Sequence, residues 1–320
     1  MKIIGWAGPS GSRYWRLGDP FKYLTKRGHE AHLLDEAISD EAAQWAEVYV
    51  LNGVVDKEGI ATLHAYQKEQ GKKLVVDVDD LLTIEPDNPF KMEHDISKAP
   101  EVVAITLRVA DMVTTTNEFL ADKLRAYNDN VVVLPNAMDL ERWDLPKLPH
   151  VEGRVRIGWA GSITHLKDLE MIVEPLKRIK AKYPQVDLIF VGDMRVRSLF
   201  GDTPVEVSPG VPFEWWPRKL HSLRLDIGLA PLRDTEFNRA KSDIKYQEYS
   251  IAGVPGVYSP TAYRGTIVTP DDWYKAIEEL VTDAEQRSYS GRVSYENVVD
   301  NCSLASLVVK WEQAYRSLFH

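Results

Sequence analysis

Short apolar runs alternate with amphipathic stretches along the whole chain. KIIGWAG opens on an apolar run that ends in glycine, and FKYLTKRGH then carries its apolar residues at helical spacing and reads as a helix stopped by Gly28. AHLL, VYVLN and KLVVDVDD read as strands with a helix over ATLHAYQKEQG before the last of them; helix VVAITLRVA, strand MVTTT, helix EFLADKLRAY and strand VVVLPN follow. The same rhythm resumes at VRIGWAG with helix DLEMIVEPLKRIKAKY, strand DLIFVGD, a short helix around PRKLHSLR, strand DIGLAPL, a helix within DTEFNRAKSDIKYQEYSIAGVP and strand GVYS. SLASLVVKWEQAYRSLF closes the chain as a helix capped by Ser303, expected to pack on the rest. Continuous apolar strands are those buried on both faces, so their alternation with helices predicts parallel sheets and an α/β class.

The run KIIGWAGPSG at Lys2 to Gly11 has an echo in VRIGWAGSIT at Val155 to Thr164. A repeat of that length is one whole domain rather than a solenoid unit. The expectation is therefore two doubly wound, Rossmann-like domains facing a cleft, residues 1–150 and 151–302, with 303–320 a terminal helix packing back toward the first. The boundary falls in DLPKLPHVEGR, Asp144 to Arg154, where prolines, glycine and charges interrupt every apolar period. A length of 320 residues suits this division, being too long for one ordinary core. In such sheets ligands sit beyond the carboxyl ends of the strands, so the cleft is where chemistry is expected.

Charge narrows the partners. The formal net charge is −9 and the basic residues are dispersed, which argues against a broad phosphate-neutralising surface but leaves room for a local basic pocket. One cysteine, Cys302, rules out an internal disulfide, and no run approaches the length of a membrane span; a reduced, cytoplasmic setting with no transmembrane segment is expected. MKIIGWAGPSG reads as a strand entering a loop rather than as an export signal.

Four short stretches carry candidate chemistry. On a helix, Lys241, Lys245 and Glu248 share one face while Ala240, Ile244 and Ile251 form an apolar one. Cations in a first helical turn oppose the macrodipole, so two lysines there make most sense around a bound phosphate, with Ser242 as a candidate cap. A plain surface pair between Lys245 and Glu248 is the alternative. GWAGSITHLKD places Gly161, Ser162 and His165 on a loop between strand and helix, where close backbone approach and hydroxyl donors suit a phosphate, though such turns are also common punctuation. DVDD ends a strand with Asp77 and Asp79 on one face; they are expected to hold an acceptor's hydroxyl groups, a divalent metal being the alternative and strand-end capping the dull reading. SGSRYWR puts Arg13 or Arg16 toward an anionic or sugar-bearing acceptor, with Tyr14 or Trp15 in the core, and Trp215 and Trp216 read as interface or core fillers.

With those residues in place, the chain resembles glycosyltransferases of the GT-B architecture, especially retaining family 4 and related sequences of bacterial and phage genomes. The resemblance covers most of the chain. It rests on PNAMD at Pro135 to Asp139, similar to the family's Pro-Asn-Gly-Val-Asp, on GWAGSITHLKD, on DIGLAPLRDTEFNRAKSDIKYQEYSIAGVP and on the tryptophan-bearing terminal helix. It implies that Glu248, the distal member of a paired-glutamate motif, holds the ribose of a nucleotide sugar. The proximal position is Ala240, a departure; a subgroup with Phe-Asn-x-x-Lys-Ser-x-x-Lys is similar here and implies that Lys241 and Lys245 hold the diphosphate. The expected activity is transfer of a sugar, with retention, from a UDP- or GDP-type donor to an acceptor that the sequence does not identify: a glycan, lipid-linked sugar, protein, small molecule or modified DNA base. Lys241, Lys245 and Asp79 are the expected catalytic residues, with the nucleotide sugar as co-substrate and neither metal nor other cofactor required. A sugar-nucleotide 2-epimerase and a non-catalytic sugar-nucleotide or polyanion binder are the rival readings.

Overall fold

The computed structural model describes residues 1–8, 11–35, 38–53, 57–81, 99–146, 148–261, 266–267 and 272–320. Two six-stranded sheets form, each entirely parallel. The first contains β1 (Lys2–Ala7), β2 (Glu30–Leu34), β3 (Val48–Asn52), β4 (Lys73–Val78), β5 (Met112–Thr115) and β6 (Val131–Val133) in the order β2-β1-β3-β4-β5-β6. The second contains β7 (Val155–Gly161), β8 (Val186–Gly192), β9 (Glu206–Pro209), β10 (Ile227–Ala230), β11 (Gly256–Tyr258) and β12 (Thr266–Ile267) in the order β12-β11-β10-β7-β8-β9. Both orders reverse direction beside the first strand of the half, so each sheet has a switch point next to a Gly-Trp-Ala-Gly strand.

Helices cover both faces of each sheet because the interior strands are apolar on both. Ile3, Val48, Val50 and Val75 pack on one side of the first sheet against Phe21 and Leu24 of the helix Asp19–Lys26. Ile4, Tyr49, Leu74 and Val76 pack on the other against Leu107 and Leu120. The middle glycine of each Gly-Trp-Ala-Gly strand serves this packing: a Cβ on Gly5 would lie 2.6 Å from Phe21, and one on Gly158 would lie 2.5 Å from Leu225.

The terminal helix Leu304–Ser317 lies on the first sheet, where Leu304, Val308, Trp311 and Tyr315 join the same core as Ile3 and Leu17. Ser303 occupies the N-cap position without a side-chain cap bond; its hydroxyl pairs with that of Ser306 at 3.0 Å. The start of this helix is pinned by the PNAMD segment instead. Met138 N–H donates to Cys302 O at 2.7 Å, and Leu304 N–H donates to Met138 O at 2.9 Å. The chain thus passes between the sheets twice, and the two passages are hydrogen-bonded to each other. Among the described residues no helix is long and apolar enough to cross a membrane.

Candidate active site

A cavity of about 720 Å³ opens between the carboxyl ends of the two sheets. Its second-sheet wall is built from strand ends and a helix start. β7 and β8 run in register to Gly161 and Gly192, and both glycines line the cavity. Their backbones touch: Gly192 has φ +131°, and a Cβ on it would lie 1.9 Å from Gly161 O. Only glycine lets the two strand ends meet the cavity as bare backbone.

The expected single helix over the lysines is two short ones, Glu236–Arg239 and Ile244–Ile251. Thr235 caps the first by accepting from Asn238 N–H at 3.2 Å, and Asn117 from the first-sheet side donates to Ala240 O at 2.8 Å, which holds the break. Asp243, not Ser242, is the N-cap residue of the second helix, and its carboxylate accepts from Gln247 Nε2 at 2.8 Å. Ser242 accepts from Asn136 Nδ2 at 2.8 Å. Lys241 therefore sits in the loop and Lys245 in the first turn, yet both line the cavity with Ser242 and Glu248.

Glu248 is 3 % exposed. Its two oxygens accept from Trp216 Nε1 at 2.8 Å and from Lys245 Nζ at 2.7 Å, while the Lys245 ammonium stands 5.1 Å from the Trp216 ring centre. The pair is therefore no solvated surface bridge: a buried carboxylate is held in one orientation by an indole and an ammonium. Trp216, expected as a filler, is part of the cavity wall. Trp215 is 57 % exposed.

Facing the cavity from the loop after β7 are Ser162, whose hydroxyl lies 2.6 Å from that of Thr164, and His165. His165 Nδ1–H donates to Asp168 at 2.9 Å. Asp168 is buried and also accepts from Arg233 N–H at 3.0 Å and Asn238 Nδ2 at 2.9 Å. This carboxylate fixes the imidazole and ties the β7 loop to the segment that carries the lysines.

The first-sheet wall separates the four residues expected there. Arg13 and Asp79 line the cavity; Arg16 and Asp77 do not. Register explains the difference, because β3, β4 and β5 align Asn52 with Asp77 and Asp77 with Thr114 in the middle of the sheet. Asp77 is 2 % exposed and Arg16 1 %. Arg16 donates to both Asp77 oxygens at 2.9 and 2.7 Å, and Nη1 donates to Leu134 O at 2.7 Å and Asn136 Oδ1 at 2.9 Å. Asn52 and Thr114 complete the shell of Asp77 at 3.0 and 2.6 Å. Burial opposes the guanidinium charge, and Asp77 more than offsets it, so Arg16 stays charged. The pair is saturated and walled off, and it positions Asn136, which in turn holds Ser242.

Asp79, just beyond β4, is half-buried and receives one bond from Asn52 Nδ2 at 3.3 Å. Burial first, then the negative charges of Asp80 and Asp77, push its carboxyl up to about 6, against the opposing pull of Arg16. Arg13 Nη2 reaches Asp35 at 2.5 Å, while its Nε is buried with no hydrogen-bond partner. Trp15 is core, as one of that pair was expected to be, and Tyr14 stacks on Phe213 across the cavity rim at 4.6 Å. Ser10 of the same stretch lies outside the described residues.

No family model and no curated protein sequence matches the chain. Solved structures do. HepE from Anabaena, in complex with UDP and glucose, superposes with a TM-score of 0.68 at 12% identity, over 99% of this chain and 100% of that one. The catalytic domain of starch synthase IV from Arabidopsis thaliana, bound to ADP and acarbose, gives 0.70 at 9% identity over 100% of both chains. An alpha-glucosyltransferase in complex with UDP gives 0.67 at 11% over 100% of both. The chain has the GT-B fold.

Within the GT-B frame, sequence reasoning missed Trp216, Gly192, Asp168 and Asp80. Gly192 ends DLIFVGD in the way that Gly161 ends VRIGWAG, so the parallel was open to reading. Trp216 carried no such signal, since a Trp-Trp-Pro run fits a core equally well. Among the described residues no group of three or more His, Cys, Asp or Glu side chains is placed to hold a metal ion.

Proposed function

We propose that this protein is a glycosyltransferase that moves a sugar from a nucleotide-diphosphate sugar to a hydroxyl-bearing acceptor. One observation carries the reading: Lys241, Lys245, the start of the helix Ile244–Ile251 and the oriented Glu248 converge on one cavity at the strand ends of a GT-B fold. The lysines and the helix start hold the diphosphate, and the backbone at Gly161 and Gly192 approaches it from the facing strands. Glu248 accepts from the ribose hydroxyls. As the bond between the anomeric carbon and the phosphate oxygen breaks, negative charge grows on the leaving diphosphate, and fixed cations stabilise it without reorganisation. The new bond forms between the anomeric carbon and the acceptor oxygen as the Asp79 carboxylate, hydrogen-bonded to that hydroxyl, takes its proton; Arg13 binds further along the acceptor.

Retention of configuration, a UDP- or GDP-type donor and independence of metal belong to this proposal. So do a cytoplasmic setting and a division into an acceptor-side half, residues 1–150, and a donor-binding half, residues 151–302, with 303–320 returning to the first. Fold alone does not choose between transfer and isomerisation. A protein described as a UDP-N-acetylglucosamine 2-epimerase from Listeria monocytogenes also superposes, with a TM-score of 0.57 at 12% identity over 100% of this chain and 97% of that one.

The test is incubation with a panel of UDP-, GDP- and ADP-sugars, with and without excess chelator, read by nucleotide chromatography and by NMR of the sugar. Transfer predicts free nucleoside diphosphate, an unchanged anomeric configuration in the product and activity that survives chelation. An epimerised donor with no release supports the isomerase, and no turnover of any donor supports a binding protein.

A further inference from the structure

The cavity's cations are already spoken for. Lys245 is paired with Glu248 on its own helix, but Lys241 reaches across the cavity to Asp80 at 2.8 Å. Lys241 belongs to the segment that docks from the second sheet, whereas Asp80 follows β4 of the first. Its ammonium also stands 4.3 Å from the Phe237 ring centre. The Asp80 side chain is 48% exposed and that of Lys241 18%, so the pair is open to solvent on the carboxylate side. Asp80 is next to Asp79 in sequence, and both line the cavity.

We infer that Asp80 is the resident counter-ion of the phosphate subsite, exchanged for the donor's diphosphate when the donor binds. The inference rests on the reading of Lys241 as a diphosphate contact. A half-exposed carboxylate is a weak partner, whereas a diphosphate brings more charge and also gains the helix start, so the exchange runs toward the donor. Once displaced, Asp80 stands beside Asp79 on the acceptor wall with its charge no longer neutralised by Lys241, which strengthens Asp79 as the acceptor of a hydroxyl's hydrogen bond. Donor binding thereby prepares the acceptor side, and linkage requires the reverse coupling as well. Asp80 acts through Lys241 and is a positioning residue.

A double-mutant cycle separates exchange from simple repulsion. UDP, GDP and ADP are titrated calorimetrically into the wild type, and the tightest binder is then titrated into Asp80→Asn, Lys241→Ala and the double variant, with Asp80→Glu as the conservative control. Asp80→Asn is expected to tighten binding by about three- to ten-fold in the wild-type background and by less than about two-fold when Lys241 is absent, while Asp80→Glu stays near wild type. Equal tightening in both backgrounds, or none, overturns the exchange. If Lys241→Ala leaves affinity unchanged in both backgrounds, or no nucleotide binds the wild type, the diphosphate reading itself falls. Matching melting temperatures across the five proteins exclude misfolding as the cause.

Discussion

A single carboxyl shows how the environment sets chemistry at this site. Asp79 is half-buried beside two acidic neighbours with one hydrogen bond from Asn52, and burial with those charges pushes its carboxyl up to about 6. An unfolded aspartate titrates near about 3.9, so the folded chain holds the extra proton between these values. Stability from the protonated form is therefore fully present below about 4 and is lost as pH rises through about 6. Asp79→Asn, which mimics that form, is expected to melt above the wild type at pH 7 and to converge with it near pH 4. Transfer moves the other way: the wild-type rate rises with pH through about 6 as the carboxylate forms, and the Asn variant is flat and slower by about a hundred-fold. A parallel pH profile in the two proteins removes Asp79 from the chemistry.

The strand ends carry the next level of constraint. Gly161 and Gly192 sit in register with backbone in contact, so Gly192→Ala adds both a steric clash and an unfavourable φ of +131°. The expected cost is at least about 2 kcal/mol of stability together with weaker nucleotide binding, checked by denaturant unfolding and calorimetry. A variant that folds and binds like the wild type shows that this approach is unimportant. The alternation of strands and helices was legible because buried parallel strands are continuous apolar runs. β9 was not, since Glu206–Pro209 is an edge strand with no fully buried residue. The helix Ala284–Asn301 was also missed: it buries only Gly291 and Val298 and exposes Tyr289 and Val293, so its apolar period is faint. The break between Arg239 and Ile244 depends on Asn117 from a distant segment, which no local pattern encodes. The alternation rule did place Asp77 and Asp79 on one face. It did not reveal that β4 lies inside the sheet, with Arg16, Asn52 and Thr114 waiting for Asp77.

Across the whole molecule, a polar chain joins the halves beneath the cavity. Thr114 holds Asp77, Asp77 holds Arg16, Arg16 holds Asn136, and Asn136 meets both Ser242 and Gln247. Above it, Trp15, Met138 and Trp143 pack among Tyr246, Tyr249 and Cys302 in an apolar cluster. The two backbone passages are hydrogen-bonded to each other at Met138; under the proposed transfer, a hinge there would close the cavity and bring donor and acceptor within the roughly 3–3.5 Å that reaction requires. The central claim is that the cavity's cations bind the diphosphate of the donor. Its most direct test is calorimetric titration of the nucleoside diphosphate released in the donor panel, and of its parent nucleoside, into the wild type and Lys241→Ala, the lysine that does not touch Glu248. Removing one charge-assisted contact is expected to weaken the diphosphate by about ten- to a hundred-fold and to leave the nucleoside unchanged. Equal loss for both ligands, or no loss for the diphosphate, contradicts the account.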